Sequence, residues 1–110
     1  MPDAGDVVWI EFPGVFETKR RPAIVLSSTE YHSCRPDVIV GLITSQVAKS
    51  TGPTDHVLTD WRSAGLRVPS AFRAFLSTLP RTAIISTMGR LATSDSSAIR
   101  ACVKLALADM

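Results

Sequence analysis

PAIVLSSTEYHSCRPDVIVGLIT, residues 22 to 44, holds two apolar runs separated by a polar interval. Pro22 to Ser28 and Asp37 to Thr44 are rich in the β-branched residues that suit strands, and a proline is tolerated at the first position of one. The interval near Tyr31 to Pro36 is short, so the two runs are expected to pair antiparallel around a turn. Both are nearly continuous in apolar residues rather than alternating, so both faces of these strands need cover. A barrel interior covers one face, and a helix or a second subunit must cover the other. A chain of 110 residues has few elements to spare, which predicts a homodimer. Light scattering at micromolar concentration checks this; a monomer there contradicts it.

Upstream, Asp6 to Phe12 (DVVWIEF) reads as a first strand ending at the turn signal Pro13-Gly14, with a polar loop from Val15 to Arg20. Downstream, residues 46 to 55 (QVAKSTGPTD) read as a polar loop, His56 to Thr59 as a short strand and Ser63 to Gly65 as a turn. Val68 to Leu79 shows no clean period, while Ala83 to Met88 reads as a late strand closed by Gly89. Ser94 suits an N-cap and Asp95 a first helical turn, and Ile99, Cys102, Val103 and Ala106 recur at helical spacing. The expected fold is mainly β with a C-terminal helix, a small barrel in one domain over residues 1–110.

Composition narrows the function classes. An apolar fraction of 45% with 20% charged residues suits one ordered globular domain and leaves no room for a second. Cys34 and Cys102 lie far apart without metal-ligand spacing, and the start MPDAGDVVW has neither the basic segment nor the apolar run of a signal peptide. The expectation is a cytoplasmic protein with reduced thiols, no bound metal and no membrane span. The net charge is only +2, yet arginines recur between residues 61 and 94, where acids are scarce. Such a region suits an anion such as RNA or, equally, a solvated basic face, and charge alone does not choose between them.

With the turn centred near Ser33, residues whose numbers sum to about sixty-six face each other, which places Pro22 across from Thr44 and Arg21 beside Ser45. One guanidinium and two hydroxyls then share a sheet end with Lys19 and Arg20. An arginine fork matches phosphate oxygens, and a threonine hydroxyl adds a hydrogen bond to the same group. His32, in a turn, and His56, at a strand start, read as ordinary exposed histidines rather than an acid–base pair. Trp9 reads as packed inside a strand, whereas Trp61, beside Arg62, is placed to touch RNA or a partner.

GDVVWIEF (Gly5 to Phe12), RRPAIVLS (Arg20 to Ser27) and DVIVGLITS (Asp37 to Ser45) resemble the MazF/PemK family of toxins. Weaker matches follow in family order at Gly65-Leu66, Pro69-Ser70, Ser77-Thr78-Leu79 and Met88-Gly89-Arg90-Leu91. The resemblance implies an SH3-like barrel and a homodimeric type II toxin that cuts single-stranded RNA without metal or cofactor and is neutralised by an antitoxin protein. It implies catalytic roles for Arg21 and Thr44, with Glu17 as the candidate general base and Lys19, Arg20, Ser45, Gln46 and Arg73 as RNA contacts. The chain departs from the family in a shorter first loop and in Phe75, where many relatives carry glutamine. Two alternatives stay open: a same-fold toxin acting on a protein such as DNA gyrase, and an inactive module that binds RNA or peptide.

Overall fold

The computed structural model describes residues 1–13 and 16–110. The strands are β1 (Asp6–Pro13), β2 (Thr18–Val25), β3 (Asp37–Thr44), β4 (His56–Val57), β5 (Ala71–Pro80) and β6 (Ile84–Arg90). Two helices, α1 (Thr29–Cys34) and α2 (Thr93–Ala106), complete the fold with single 3-10 turns at Val47–Lys49 and Arg81–Ala83. Among the described residues the strands form one sheet in the order β4-β5-β3-β2-β1-β6, and each neighbouring pair is antiparallel.

The sheet buries both faces, as the continuous apolar runs require. On one face Val7, Ile24, Ile43 and Phe72 pack with Leu58, Leu66 and the α2 residues Ile99 and Cys102. On the other, Val8, Ile10, Ala23, Val25, Val38, Val40 and Leu79 form a second core. Successive residues of one strand thus feed opposite cores, which is the period-2 geometry of a strand. Helix α2 covers one of these faces through Ile99 and Cys102, so burial of β2 and β3 does not itself require a dimer.

The expected barrel is a curled sheet with its ends, β4 and β6, not hydrogen-bonded to each other. The chain between β4 and β5 brings Ala64 and Gly65 against Met88 and Gly89 of β6, and backbone meets backbone there. Gly65 sits at φ +82, and a Cβ on it would lie 2.2 Å from the Met88 carbonyl oxygen. Only glycine serves both the left-handed backbone and the close approach. Arg90 then binds Asp6 across the β1–β6 pair, Nη1 to Oδ1 at 2.8 Å.

Several boundaries differ from the sequence expectations. β2 begins at Thr18 rather than Pro22, because Thr18, Lys19 and Arg20 pair with Pro13, Phe12 and Glu11 and extend the ribbon beyond the core. The expected turn at Pro13-Gly14 and the start of the first loop fall partly on residues 14 and 15, outside the described residues. The interval from Tyr31 is the end of α1, whose N-cap Ser28 accepts from the Tyr31 N–H at 3.2 Å. β5 settles the unassigned stretch from Val68. It carries apolar side chains toward both cores and pairs with β3 through a register shift between Gly41 and Ile43, so no single period is legible. Helix α2 starts at Thr93 from the N-cap Ala92, with no side-chain cap; Ser94 lies inside its first turn.

Candidate active site

β2 and β3 pair as Ala23 with Leu42, Ile24 with Gly41 and Val25 with Val40. The register is one residue tighter than expected, and continued to the strand ends it sets Arg21, rather than Pro22, across from Thr44. A groove of about 640 Å³ opens at this sheet end. Arg21 and Thr44 line it with Ser45 and Gln46 from the loop after β3. Glu17, Lys19 and Arg20 enter from the start of β2, while Pro22, Ile43 and Val68 supply apolar wall. Seven of the eight site residues expected from the sequence therefore meet in one cavity. The eighth, Arg73, is an exposed residue of β5 and does not line it.

Hydrogen bonding sets the chemistry at Thr44. Its Oγ1 accepts from the Gln46 N–H at 3.1 Å, which fixes the oxygen and leaves the hydroxyl hydrogen free to be donated. Arg21 is exposed at the groove and, among the described residues, forms no ion pair. Arg20 differs: its Nη2 lies 3.7 Å from Glu11 Oε1 across the strand pair, an exposed contact that solvent weakens. With Lys19, Arg20 and Arg21 against the single carboxylate of Glu17, the groove is cationic, and its fork of N–H donors faces a hydroxyl donor. Such a set of donors matches the oxygens of a tetrahedral oxyanion.

The two histidines are engaged rather than freely exposed. His32 belongs to α1, and its Nε2 lies 2.6 Å from Ser27 Oγ, which also accepts from the Ile39 N–H at 3.0 Å. Arg81 Nη2 donates to the carbonyls of His32 and Arg35, tying α1 to the turn before β6. His56 donates from Nε2 to Asp95 Oδ1 at 2.8 Å, and Asp95 is fully buried. The same carboxylate accepts from the backbone and hydroxyl of Thr59 and from the Asp60 N–H. Burial pushes the Asp95 carboxyl up, but these bonds outweigh it and hold it below the usual carboxylate range. Local reading assigns Asp95 only a helix-end role; its place i−4 from Ile99 on the apolar face is the available signal for burial.

Among the aromatics, Trp61 packs partly on the α2-side core, with the Arg62 guanidinium 4.5 Å over its ring. Phe75 is 55% exposed and meets Phe12 edge-on at 5.9 Å. Cys34 and Cys102 are both free thiols. Burial, with the charge of Asp55 second, raises the Cys102 thiol above its ordinary range, so it stays protonated and packs as a small apolar side chain. Among the described residues no helix is long and apolar enough to cross a membrane.

The whole chain can be set against known proteins. A MazF from Deinococcus radiodurans is 25% identical, with 96% of this chain and 97% of that one aligned at a TM-score of 0.72. An endoribonuclease from a mycobacterial species, solved with its cognate antitoxin, superposes over 100% of both chains at a TM-score of 0.77 and 17% identity. The toxin MazF-mt6 of Mycobacterium tuberculosis is 22% identical, with a TM-score of 0.74 over 92% of this chain and 94% of its own. No curated protein sequence matches significantly. The profile of the PemK-like, MazF-like toxins of type II toxin-antitoxin systems matches residues 3–107. A match of that length, over a fold whose strand ends bring the family-like RRP and ITS segments together, makes the chain a member of the PemK/MazF toxin family.

Proposed function

We propose that the groove between β2 and the loop after β3 cleaves single-stranded RNA, using the ribose 2′-hydroxyl as nucleophile. The observation that carries this reading is the convergence of Arg21 and Thr44 in a cationic groove. The ribose oxygen attacks the adjacent phosphorus, the bond to the 5′ oxygen breaks, and the products end in a cyclic phosphate and a 5′-hydroxyl. Charge builds on the phosphoryl oxygens in the transition state, where the Arg21 fork stabilises it. The Thr44 hydroxyl, its oxygen held by Gln46, donates to a non-bridging oxygen. Glu17 at the groove wall accepts the proton of the attacking hydroxyl, and the departing 5′ oxygen takes up a proton. Lys19, Arg20, Ser45 and Gln46 hold the flanking backbone, while Arg73, outside the groove, takes no part.

A toxin of this family requires a neutralising partner, and the cationic groove suits an acidic antitoxin segment that folds onto it and blocks RNA. The cytoplasm is where both mRNA and that partner are found. The exposed Leu105 in the last turn of α2 and Leu107 just after it, with Ile85 of β6, offer apolar surface for the homodimer. A gyrase-type protein target finds no comparable support, because the groove's donors match a phosphate and not a particular protein surface.

The nucleophile is tested with an RNA that the protein cuts in excess EDTA. A single 2′-deoxyribose on the 5′ side of the cut phosphate is expected to abolish cleavage there and leave binding intact. Cleavage that continues at that position would show that water or a side chain attacks instead.

A further inference from the structure

Beside the groove, and sharing Pro22 and Val68 with it, lies a second pocket of about 460 Å³. Its back is a row of cross-strand partners, with Trp9 of β1 between Pro22 of β2 and Ser86 of β6. Leu66 and Met88 complete the apolar lining, and the exposed Arg67 stands at the rim. Among the described residues no carboxylate lines the pocket. The indole of Trp9 is half-buried, and it belongs to neither core although Val7, Val8 and Ile10 around it do. A large aromatic ring in a central strand that joins no core is a wall of something else.

We propose that this pocket receives the base of the nucleotide next to the phosphate held by Arg21 and Thr44, stacked on the Trp9 indole. The inference rests on the ribonuclease reading and adds a base subsite to it. The volume lies within the roughly 300–1,000 Å³ of small-molecule sites. A flat indole with apolar flanks accepts any base by stacking, and a neighbouring arginine adds attraction for both the ring and the backbone. The Ser86 hydroxyl can donate to or accept from a base edge. An apolar side chain of a protein partner would also fit the volume. The cation at the rim, the lack of carboxylates and the shared wall with a cationic groove favour the polyanion.

The test uses an RNA the protein cuts, blocked by a 2′-deoxyribose at the cut position. It is titrated against wild type, Trp9→Leu and Trp9→Phe, with the base intact or removed on either side of the blocked phosphate. Removing one of these bases is expected to weaken wild-type binding by about 5- to 150-fold, the fold-change that corresponds to stacking of roughly 1–3 kcal/mol per base. In Trp9→Leu the intact RNA already shows that loss and base removal adds nothing, whereas Trp9→Phe keeps part of the dependence. If Trp9→Leu does not fold, Trp61→Phe leaves Trp9 as the sole tryptophan. Its emission then shifts with the intact RNA and not with the abasic one. An equal loss on base removal in wild type and Trp9→Leu, or no loss in either, overturns the pocket and leaves the ribonuclease reading standing. A wild type that binds and cuts no RNA overturns both.

Discussion

Arg21→Ala is expected to lower the rate of RNA cleavage by about 10²–10³-fold, the usual loss when one donor aimed at developing charge is removed. Arg21 is exposed at the groove and, among the described residues, holds no ion pair, so its removal should leave the unfolding free energy within about 0.5 kcal/mol of wild type. Arg21→Lys keeps the charge and loses the planar fork, and should recover only part of the rate. The comparison with Arg20→Ala is instructive, because Arg20 is a cross-strand partner of Glu11 and not of Thr44. Its loss should weaken RNA binding in a salt-dependent way with a small change in the rate of the bound complex. If the two variants were equally impaired in single-turnover cleavage, Arg21 would be one cation among several and not the group at the reacting phosphate.

The second large effect concerns stability and lies on the opposite side of the sheet from the second core. Asp95→Ala is expected to cost about 3–5 kcal/mol in chemical denaturation, because the Thr59 and Asp60 N–H groups, the Thr59 hydroxyl and the His56 ring all lose their acceptor in a buried place. That loss is a large part of the roughly 5–15 kcal/mol that holds a domain together. Asp95 stitches α2 to β4 and to the turn after it, so the helix and the edge strand should loosen together.

The pH dependence has a definite sign. The folded carboxyl titrates lower than the same group in the unfolded chain. Its contribution is therefore fully present above the unfolded value of about 3.9, and is lost as pH falls through that value toward the lower folded one. The stability gap between wild type and Asp95→Ala should be widest near neutrality and narrow below about pH 4. A gap that stays constant from pH 7 to pH 2.5 would show that Asp95 contributes shape and not charge. Asp95→Asn, which keeps one acceptor oxygen and turns an NH₂ toward a donor, should fall between the two proteins.

The strands that frame the groove were legible because they satisfy a local rule: β1, β2 and β3 are apolar, β-branched and bounded by turn residues. The antiparallel partnership of β2 and β3 followed from the short interval between them, and the register missed by one because six residues of that interval wind into α1. Ser28 was the sign of that helix, standing at an N-cap with Glu30 in the first turn. β5 was illegible for a different reason. Phe72, Ala74 and Leu76 point to one core and Leu79 to the other, and a register shift interrupts its pairing, so neither period shows. Non-local partners were invisible altogether. His56 and Asp95 stand 39 residues apart and Asp6 and Arg90 stand 84 apart, and nothing local in either pair announces the other. Arg73 read as one more cation near the site, but strand alternation and the sheet's curl leave it outside the groove.

Incubation of the purified protein with a long single-stranded RNA in excess EDTA, followed by mapping of the fragment ends, decides whether the groove cuts RNA without a metal ion. A ribonuclease site at the groove predicts discrete cuts by wild type that leave 5′-hydroxyl and cyclic phosphate ends, and no such cuts by Arg21→Ala. Intact RNA with wild type across varied sequences, or fragments bearing 5′-phosphates, would contradict it.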